Sequence, residues 1–173
     1  MKKYEMTDET KTLDGVVLHR IRAVRDFTLA YGAEVLAGDL GGWIEKEDNL
    51  SHGDSAWVSG DARVCDNARV CDNAWVCDNA RVCDNACVCN NACVSDNARV
   101  GGDGDYAVYK NCWSSMRWFT YTRSNKKWSV GCFYGTGEEL VEKAYRDSKL
   151  SGQCYEAIVR AQEAIDRAVK EAE

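Results

Sequence analysis

The stretch ARVCDNARVCDNAWVCDNARVCDN, residues 62–85, repeats one unit of six residues almost letter for letter. Around it, valine recurs at every sixth position from Val58 to Val100, and alanine stands two residues before each valine, from Ala56 to Ala98. A fixed short period is typical of a solenoid, in which each repeat stacks on the next. The repeat therefore predicts a coil, and the flanking segments are interpreted as structures that close its ends.

Each unit combines a short strand with a corner. The alanine and the valine are two residues apart, so their side chains point to one side of the strand and the residues beside the valine point to the other. The polar pair that follows tolerates left-handed backbone angles and bonds its own backbone, which is typical of a corner. The pairs that read Asp-Asn are Asp66-Asn67, Asp72-Asn73, Asp78-Asn79, Asp84-Asn85 and Asp96-Asn97.

This pattern resembles that of the hexapeptide-repeat proteins, whose units build a left-handed parallel β-helix of triangular section. The match covers residues 56–100, and Ile44 and Leu50 extend the six-residue step back to about residue 41. The resemblance implies that three six-residue units, 18 residues, make one rung, and that the coils assemble as a homotrimer. Eight units give fewer than three full rungs, so the ends of so short a coil need caps.

If three units close a rung, residues 18 apart stack on one outer face, about 4.8 Å from each other. The arginine face then carries Arg63, Arg81 and Arg99 with Cys65 and Cys83. The tryptophan face carries Trp57, Trp75 and Cys93 with Ser59, Cys77 and Ser95. The thiol face carries Arg69, Cys71, Cys87 and Cys89. Because outward tryptophans and thiols usually find cover, the tryptophan face is expected to contact another subunit or the C-terminal part of the chain.

The fold predicted is mainly β, a short left-handed parallel β-helix between two different caps. We expect an N-terminal β cap at residues 1–40, the coil at residues 41–102, and a C-terminal module at residues 103–173 that contains an aromatic β-hairpin and two helices. The cap should include a strand at 16–24, bounded by Asp14-Gly15. Gly38, Gly41 and Gly42 then punctuate the chain before the coil.

In the C-terminal module, strands are expected at 106–110, 117–123 and 127–133, with Ser124-Asn125-Lys126 as a hairpin turn. Thr136 and Glu139 form a capping box, so a helix should run from there to about Asp147. A second helix should begin at Ser151. Its predicted apolar stripe is Tyr155, Ile158, Ala161, Ile165, Ala168, Val169 and Ala172.

The two ends of the chain carry a second resemblance. The run GCFYGTGEELVEKA looks like a module found after hexapeptide repeats in proteins encoded by phages and prophages of gut bacteria. The N-terminal runs DETKTLDG and AGDLGGWIEKEDNLS are similar to the same set of proteins. The resemblance implies the architecture and a phage-type origin, and it implies no activity residue by residue.

Composition excludes several classes of function. The net charge of −6 argues against non-specific nucleic-acid binding. No signal peptide and no stretch of about 20 apolar residues is present, so we expect no membrane association and a cytoplasmic location in a bacterial host cell. In that reducing compartment the ten cysteines are expected to be free thiols, and neither a cofactor nor a metal is expected.

Two sets of residues are candidates for binding an anionic ligand. The first is the arginine column Arg63, Arg81 and Arg99, whose like charges repel unless an anion, an acidic surface of a neighbouring subunit or solvent answers them. The second is the aromatic-basic set Arg117, Trp118, Tyr121, Arg123, Lys126, Lys127 and Trp128. Aromatic faces stack on bases and guanidinium groups bind phosphate oxygens, so this set suits a nucleotide-sized ligand. The alternative is that its aromatic side chains only cover the coil and the helices.

Catalytic and metal-binding alternatives have weaker signals. The resemblance would allow an acyltransferase with His52 as general base, but His19 and His52 are the only histidines and no loop interrupts the repeat. Cys71, Cys87 and Cys89 could approach one another as zinc ligands, although their spacing is not that of a zinc knuckle. We therefore predict a non-enzymatic, trimeric phage-type protein that sequesters a small anionic ligand such as a nucleotide immune signal. The alternatives are a structural or partner-binding scaffold and a hexapeptide-repeat acyltransferase.

Overall fold

The computed structural model describes residues 1–172 and shows a mainly β protein with two helices at its C-terminus. Asp14 and Gly15, both at positive φ, join the first two strands into a long antiparallel hairpin. The strand after the small second hairpin pairs antiparallel with the long one. The strands before the repeat are β1 (Tyr4–Leu13), β2 (Val16–Ala23), β3 (Phe27–Thr28), β4 (Glu34–Val35) and β5 (Leu40–Ile44).

Every repeat forms one two-residue strand that ends on its valine. From Val58 to Val100 all of these valines are fully buried, and the alanines two residues earlier are buried with them. The predicted inward direction of both residues is confirmed. In chain order the strands are β6 (Trp57–Val58), β7 (Arg63–Val64), β8 (Arg69–Val70), β9 (Trp75–Val76), β10 (Arg81–Val82), β11 (Cys87–Val88), β12 (Cys93–Val94) and β13 (Arg99–Val100).

The strands stack as three parallel sheets with the predicted 18-residue register. Arg81 pairs with Arg63 on one side and with Arg99 on the other, Cys87 pairs with Arg69, and Trp75 pairs with both Trp57 and Cys93. The three outer faces therefore carry the residues that the sequence assigned to them. The fold is a parallel β-solenoid, and the left-handed sense implied by the resemblance stays a prediction.

The first rung is longer than the others. Ile44 pairs with Val64 and Leu50 with Val70, so partners here are 20 residues apart instead of 18. The six-residue step does extend back to Ile44, as expected, but two additional residues lie between Leu50 and Val58. The N-terminal end of the coil is closed by Lys3. Its buried Nζ donates to the carbonyl oxygens of Gly53 and Ala56, at 3.1 and 2.6 Å.

The corners have the backbone geometry that Asp and Asn tolerate. The first residue of each polar pair has φ between 55° and 59°, in the left-handed region. These residues are Asp66, Asp72, Asp78, Asp84, Asn90 and Asp96. The prediction that the polar pairs are corners is confirmed.

The N-terminal hairpin is hydrogen-bonded to the coil, since β5 pairs antiparallel with β2 and parallel with β7. The result is a mixed six-stranded sheet in the order β1-β2-β5-β7-β10-β13. One face of the coil thus continues into the N-terminal strands without a break.

The C-terminal module contains a four-stranded antiparallel sheet. Its strands, which pair in sequence order, are β14 (Tyr106–Lys110), β15 (Trp118–Thr122), β16 (Lys127–Val130) and β17 (Phe133–Gly135). The sequence predicted one strand at 127–133, which was wrong at its end. Gly131 has a φ of 58°, and the turn that it makes with Cys132 divides this segment into two strands.

Two helices pack on this sheet. Helix α1 (Gly137–Asp147) has the predicted capping box, in which Thr136 Oγ1 accepts from the amide of Glu139 at 3.2 Å and Glu139 Oε2 accepts from the amide of Thr136 at 2.7 Å. Helix α2 (Lys149–Ala172) begins two residues before the predicted start. No helix within residues 1–172 is long and apolar enough to cross a membrane.

The buried stripe of α2 differs from the predicted one. Its buried residues are Ser151, Gly152, Tyr155, Val159 and Gln162. Ile165, by contrast, is 49% exposed. The difference is due to two polar residues of the helix. Gln162 and Asp166 face the sheet because they form hydrogen bonds with the hydroxyl groups of Tyr109 and Tyr121. The apolar residues of the last two turns are thereby left at the surface.

Side chains of the C-terminal module cover the last rung of the coil. The amide of Cys93 donates to Thr120 Oγ1 at 2.9 Å, and the amide of Arg99 donates to Ser124 Oγ at 2.8 Å. The amide of Cys87 donates in the same way to Asp103 Oδ1 at 2.8 Å. These backbone groups would otherwise lack the partners that a further rung provides.

Candidate functional site

The central arginine of the column, Arg81, forms an ion pair with a carboxylate of the same chain. Asp14, in the turn of the β1–β2 hairpin, accepts a hydrogen bond from Arg81 at 2.9 Å, and this contact raises the pKa of Arg81. Arg63 has a buried Nε with no partner within residues 1–172, and Arg99 is exposed. The three guanidinium groups form a column as predicted, but a carboxylate of the same chain occupies its centre.

The tryptophan face is covered from both ends of the chain. Trp57 is 2% exposed and packs edge-on against Phe27, with 5.3 Å between ring centroids. Trp75 lies 6.3 Å from the ring of Tyr31, and its Nε1 donates to Ser59 Oγ at 2.8 Å. The C-terminal sheet reaches the top of the same face, where β12 contacts β15. Trp57 and Trp75 are therefore covered by other parts of the same chain.

The aromatic-basic residues of the C-terminal sheet divide into two groups. Tyr121 and Trp128 are buried, and their rings are 4.9 Å apart. The Tyr121 hydroxyl donates to Asp166 of α2, and Arg123 Nε contacts the same carboxylate at 3.1 Å. Burial raises the pKa of Tyr121. These residues attach the sheet to α2, with Lys126 and Lys127 in or next to the β15–β16 turn.

Arg117 and Trp118 belong to a different surface, which we name the coil–module cleft. This cleft has a volume of about 610 Å³ and lies between the N-terminal segment, the coil and the C-terminal sheet. Its lining residues are Ala30, Tyr31, Ala33, Trp75, Asn91, Met116, Arg117, Trp118, Gly131 and Cys132. Three structural parts that are distant in sequence thus contribute to one concave surface.

Aromatic rings come from each part of the cleft. Tyr31 belongs to the loop between β3 and β4, Trp75 to the coil, and Trp118 to the C-terminal sheet. The Tyr31 hydroxyl donates to the carbonyl oxygen of Asn91, which fixes the loop on the coil. Burial raises the pKa of Tyr31 above its ordinary value.

Arg117 lies between this cleft and a second one. The second cleft, about 330 Å³, lies between the C-terminal sheet and the two helices. Besides Arg117, its polar lining consists of Asn111, Ser114, Ser115, Lys143, Asp147, Ser148, Ser151 and Tyr155, so it contains one carboxylate. Among residues 1–172, Arg117 forms no ion pair with a carboxylate, unlike Arg81 and Arg123.

Both histidines form contacts away from the coil–module cleft. His52 stacks on Tyr4 with 4.2 Å between centroids, and its Nδ1 accepts from the amide of Lys3 while its Nε2 contacts Glu47 at 2.9 Å. His19 Nδ1 lies 3.3 Å from the carbonyl oxygen of Thr7. Neither imidazole lines the coil–module cleft. His52 thus contacts the first residues of the chain and Glu47.

All ten cysteines are free. Over the part of the chain that the structure describes, one group of three metal-ligating atoms lies within 4.8 Å of one another, and it is Asp66, Cys83 and Asp84. The set that the sequence suggested for zinc, Cys71 with Cys87 and Cys89, does not meet that distance.

The coil defines the chain as a β-solenoid repeat protein. A family model described as YdcK beta solenoid repeat matches residues 62–78, within the stretch whose period predicted the fold. A comparison with curated proteins finds no match. The sequence had not pointed to Tyr31 or Asn91, because the loop around Tyr31 has no periodicity and Asn91 occurs as an ordinary corner residue.

Proposed function

We propose that this protein is a non-enzymatic binding protein that holds a small anionic ligand with an aromatic base, such as a nucleotide, in the coil–module cleft. One observation carries the proposal: the rings of Tyr31, Trp75 and Trp118 converge on a single cleft of about 610 Å³ with Arg117, which forms no ion pair within residues 1–172. That volume lies in the range of about 300–1,000 Å³ that is common for small-molecule sites.

The chemistry of the lining fits such a ligand. Base–aromatic stacking contributes about 1–3 kcal/mol for each base, and three rings surround this cleft. The guanidinium of Arg117 offers paired donors to phosphate oxygens, and these donors are not used by a carboxylate of residues 1–172. Lys143 and the serines of the second cleft lie on the other side of Arg117, where they extend the polar surface available to phosphates.

The proposal includes a biological setting. The resemblance of both chain ends to phage and prophage proteins favours a protein that sequesters a nucleotide immune signal in the cytoplasm of a bacterial host. We further propose that it works as a trimer through the thiol face. The tryptophan face is covered by the N-terminal segment and the C-terminal sheet, and the β1–β2 hairpin lies beside Arg63 and Arg81 on the arginine face, where Arg99 alone is exposed. On the thiol face Arg69 is exposed and Cys71 and Cys87 are half-buried.

Thermal unfolding in the presence of a panel of mono- and cyclic dinucleotides tests the proposal. A ligand at 100 times its dissociation constant adds about 2.7 kcal/mol to the free energy of unfolding. We expect at least one nucleotide to raise the Tm of the wild type, and Trp118→Ala and Arg117→Gln to abolish that rise. Arg99→Gln, an exposed arginine outside the cleft, is the control and should respond like the wild type.

A wild type that responds to no nucleotide contradicts the binding proposal and favours the scaffold alternative. Equal loss of response in Trp118→Ala and Arg99→Gln would place the ligand elsewhere on the molecule. Coenzyme A belongs in the same panel, since a response to it that is lost in His52→Ala would favour the acyltransferase.

A further inference from the structure

Aspartates at the coil corners have a common structural role. In three of them the Oδ2 atom accepts a hydrogen bond from the amide one rung above. Asp66 accepts from the amide of Asp84 at 3.3 Å, Asp72 from that of Asn90 at 2.9 Å, and Asp78 from that of Asp96 at 3.2 Å. These carboxylates therefore serve the stacking of the rungs.

Asp84 does not have this role. It is the last aspartate of its column, and the amides of Gly101 and Gly102 above it donate to Asp105 Oδ2 instead, at 2.7 and 2.9 Å. Within residues 1–172 the hydrogen bond of the Asp84 carboxylate is to the thiol of its neighbour Cys83, at 3.4 Å. The fold thus leaves the Asp84 carboxylate available for another ligand.

Two thiols lie at the same corner. Cys65 and Cys83 are rung neighbours, because Val64 pairs with Val82 just before them. Cys65 donates to Asp66 Oδ2 at 3.4 Å, and the ligand atoms of Asp66, Cys83 and Asp84 are already within 4.8 Å of one another. Three donors therefore converge at one corner, and the Cys65 sulfur lies beside them, in contact with Asp66 but outside the group of atoms that are all within 4.8 Å of one another.

The other two corner columns lack this combination. In the column of the thiol face, Cys71-Asp72 lies below Cys89-Asn90, so one carboxylate is replaced by an amide. In the column of the tryptophan face, Cys77-Asp78 lies below Ser95-Asp96, so one thiol is replaced by a hydroxyl. Both columns keep the same backbone geometry, which shows that the coil does not require the full donor set.

We propose that Cys65, Asp66, Cys83 and Asp84 bind one zinc ion at this corner. Zinc takes cysteine sulfur at about 2.3 Å and carboxylate oxygen at about 2.0–2.2 Å in a tetrahedral arrangement, and this set supplies four such donors. The neighbouring Arg81 guanidinium, itself paired with Asp14, offsets part of the negative charge that remains.

Binding exchanges protons for the metal. Without the metal both thiols carry a hydrogen, since each donates to the aspartate that follows it. As each zinc–sulfur bond forms, the S–H bond breaks and its proton passes to solvent, and the two carboxylates coordinate without a proton change. The Cys65–Asp66 and Cys83–Asp84 hydrogen bonds are replaced by bonds to the metal.

Zinc binding to the reduced, full-length protein tests the site, with Co²⁺ as a spectroscopic probe of tetrahedral sulfur ligation. The wild type should bind one ion per chain. Cys83→Ser and Asp84→Asn should each weaken binding at least about tenfold, because losing a residue that only supports a metal ligand already costs 10–100-fold. Cys89→Ser, a thiol at the neighbouring corner, is the matched control and should bind like the wild type.

A gain of binding makes the test stricter. Asn90→Asp completes the same donor set with Cys71, Asp72 and Cys89, so it should raise the stoichiometry from one ion to two. Absence of zinc binding to the wild type would overturn the proposal, as would equal losses in Cys83→Ser and Cys89→Ser. All measurements are made without nucleotide, so their outcome is independent of the proposed function, and circular dichroism confirms that each variant is folded.

Discussion

Gly41 is packed so closely that a single methyl group should damage the start of the coil. It lies in β5, between the N-terminal hairpin and the first repeat. A Cβ atom at this position would be 2.5 Å from Cγ1 of Ile21, 2.7 Å from Cζ2 of Trp57 and 2.7 Å from the carbonyl oxygen of Val58. Ile21 and Trp57 are themselves buried, so neither side chain has open space to move into.

The cost follows from these contacts. Forcing a methyl group into a well-packed core destabilises by about 1–3 kcal/mol, and three simultaneous overlaps, one of them with backbone, place Gly41→Ala toward the upper end. Replacing glycine also reduces the entropy of the unfolded chain, which returns about 0.4–1 kcal/mol. We expect a net loss of about 2 kcal/mol, which for a chain of this length lowers the Tm by about 4–8 °C.

Urea unfolding followed by tryptophan fluorescence measures this loss, with Gly102→Ala as the matched control. A Cβ on Gly102 meets nothing within 4 Å, so this variant should remain within about 0.5 kcal/mol of the wild type. If Gly41→Ala is as stable as Gly102→Ala, the close contact of β5 with the first rung is wrong.

Two further expectations concern the thiols and the assembly. Burial raises the pKa of Cys65 from 9.0 to about 12, so above pH 9 the unfolded chain loses a proton that the folded chain keeps. Stability should then fall as the pH rises from 9 to 11, by up to about 1.4 kcal/mol per pH unit for this thiol, and Cys65→Ser should show a smaller slope in urea unfolding. Light scattering should give the mass of a trimer that Arg69→Glu dissociates; a wild-type monomer would refute the trimer and leave the binding proposal standing.

The coil was predictable because its signal is local. Each unit contains the inward pair Ala-Val and a corner that tolerates positive φ, and stacking identical units leaves one register for Arg63, Arg81 and Arg99. The long first rung was not predictable in this way. Its two additional residues fall between Leu50 and Val58, where the repeat is degenerate.

Contacts between distant segments were beyond the periodic signal. Nothing in the repeat indicates that Asp14 meets Arg81 or that Tyr31 lies beside Trp75, because these contacts depend on how the N-terminal hairpins fold back over the coil. The aromatic-basic strand lies next to the coil, where Trp118 lines the coil–module cleft. Its division into a structural half at Tyr121 and an open half at Trp118 depends on where α2 lies.

The stripe of α2 shows a different limit. The spacing of apolar residues predicted Ile165 as a core residue. Instead, the hydrogen bonds of Gln162 and Asp166 to the sheet determine which side of the helix faces it. An amphipathic pattern reports only where apolar side chains lie along a helix. It gives no sign that the Asp166 carboxylate binds Tyr121 and Arg123 of the sheet.

The covering of the last rung by Thr120, Ser124 and Asp103 has a consequence for aggregation. A solenoid that ended in bare strands would offer a template to which another molecule could add, and repeated addition would build a fibre. Side-chain oxygens of the C-terminal module bind the amides of Cys93, Arg99 and Cys87, and these oxygens cannot be extended by a further strand. With Lys3 seated at the opposite end, lengthwise polymerisation is blocked at both tips of the coil, and any association of copies has to take place sideways.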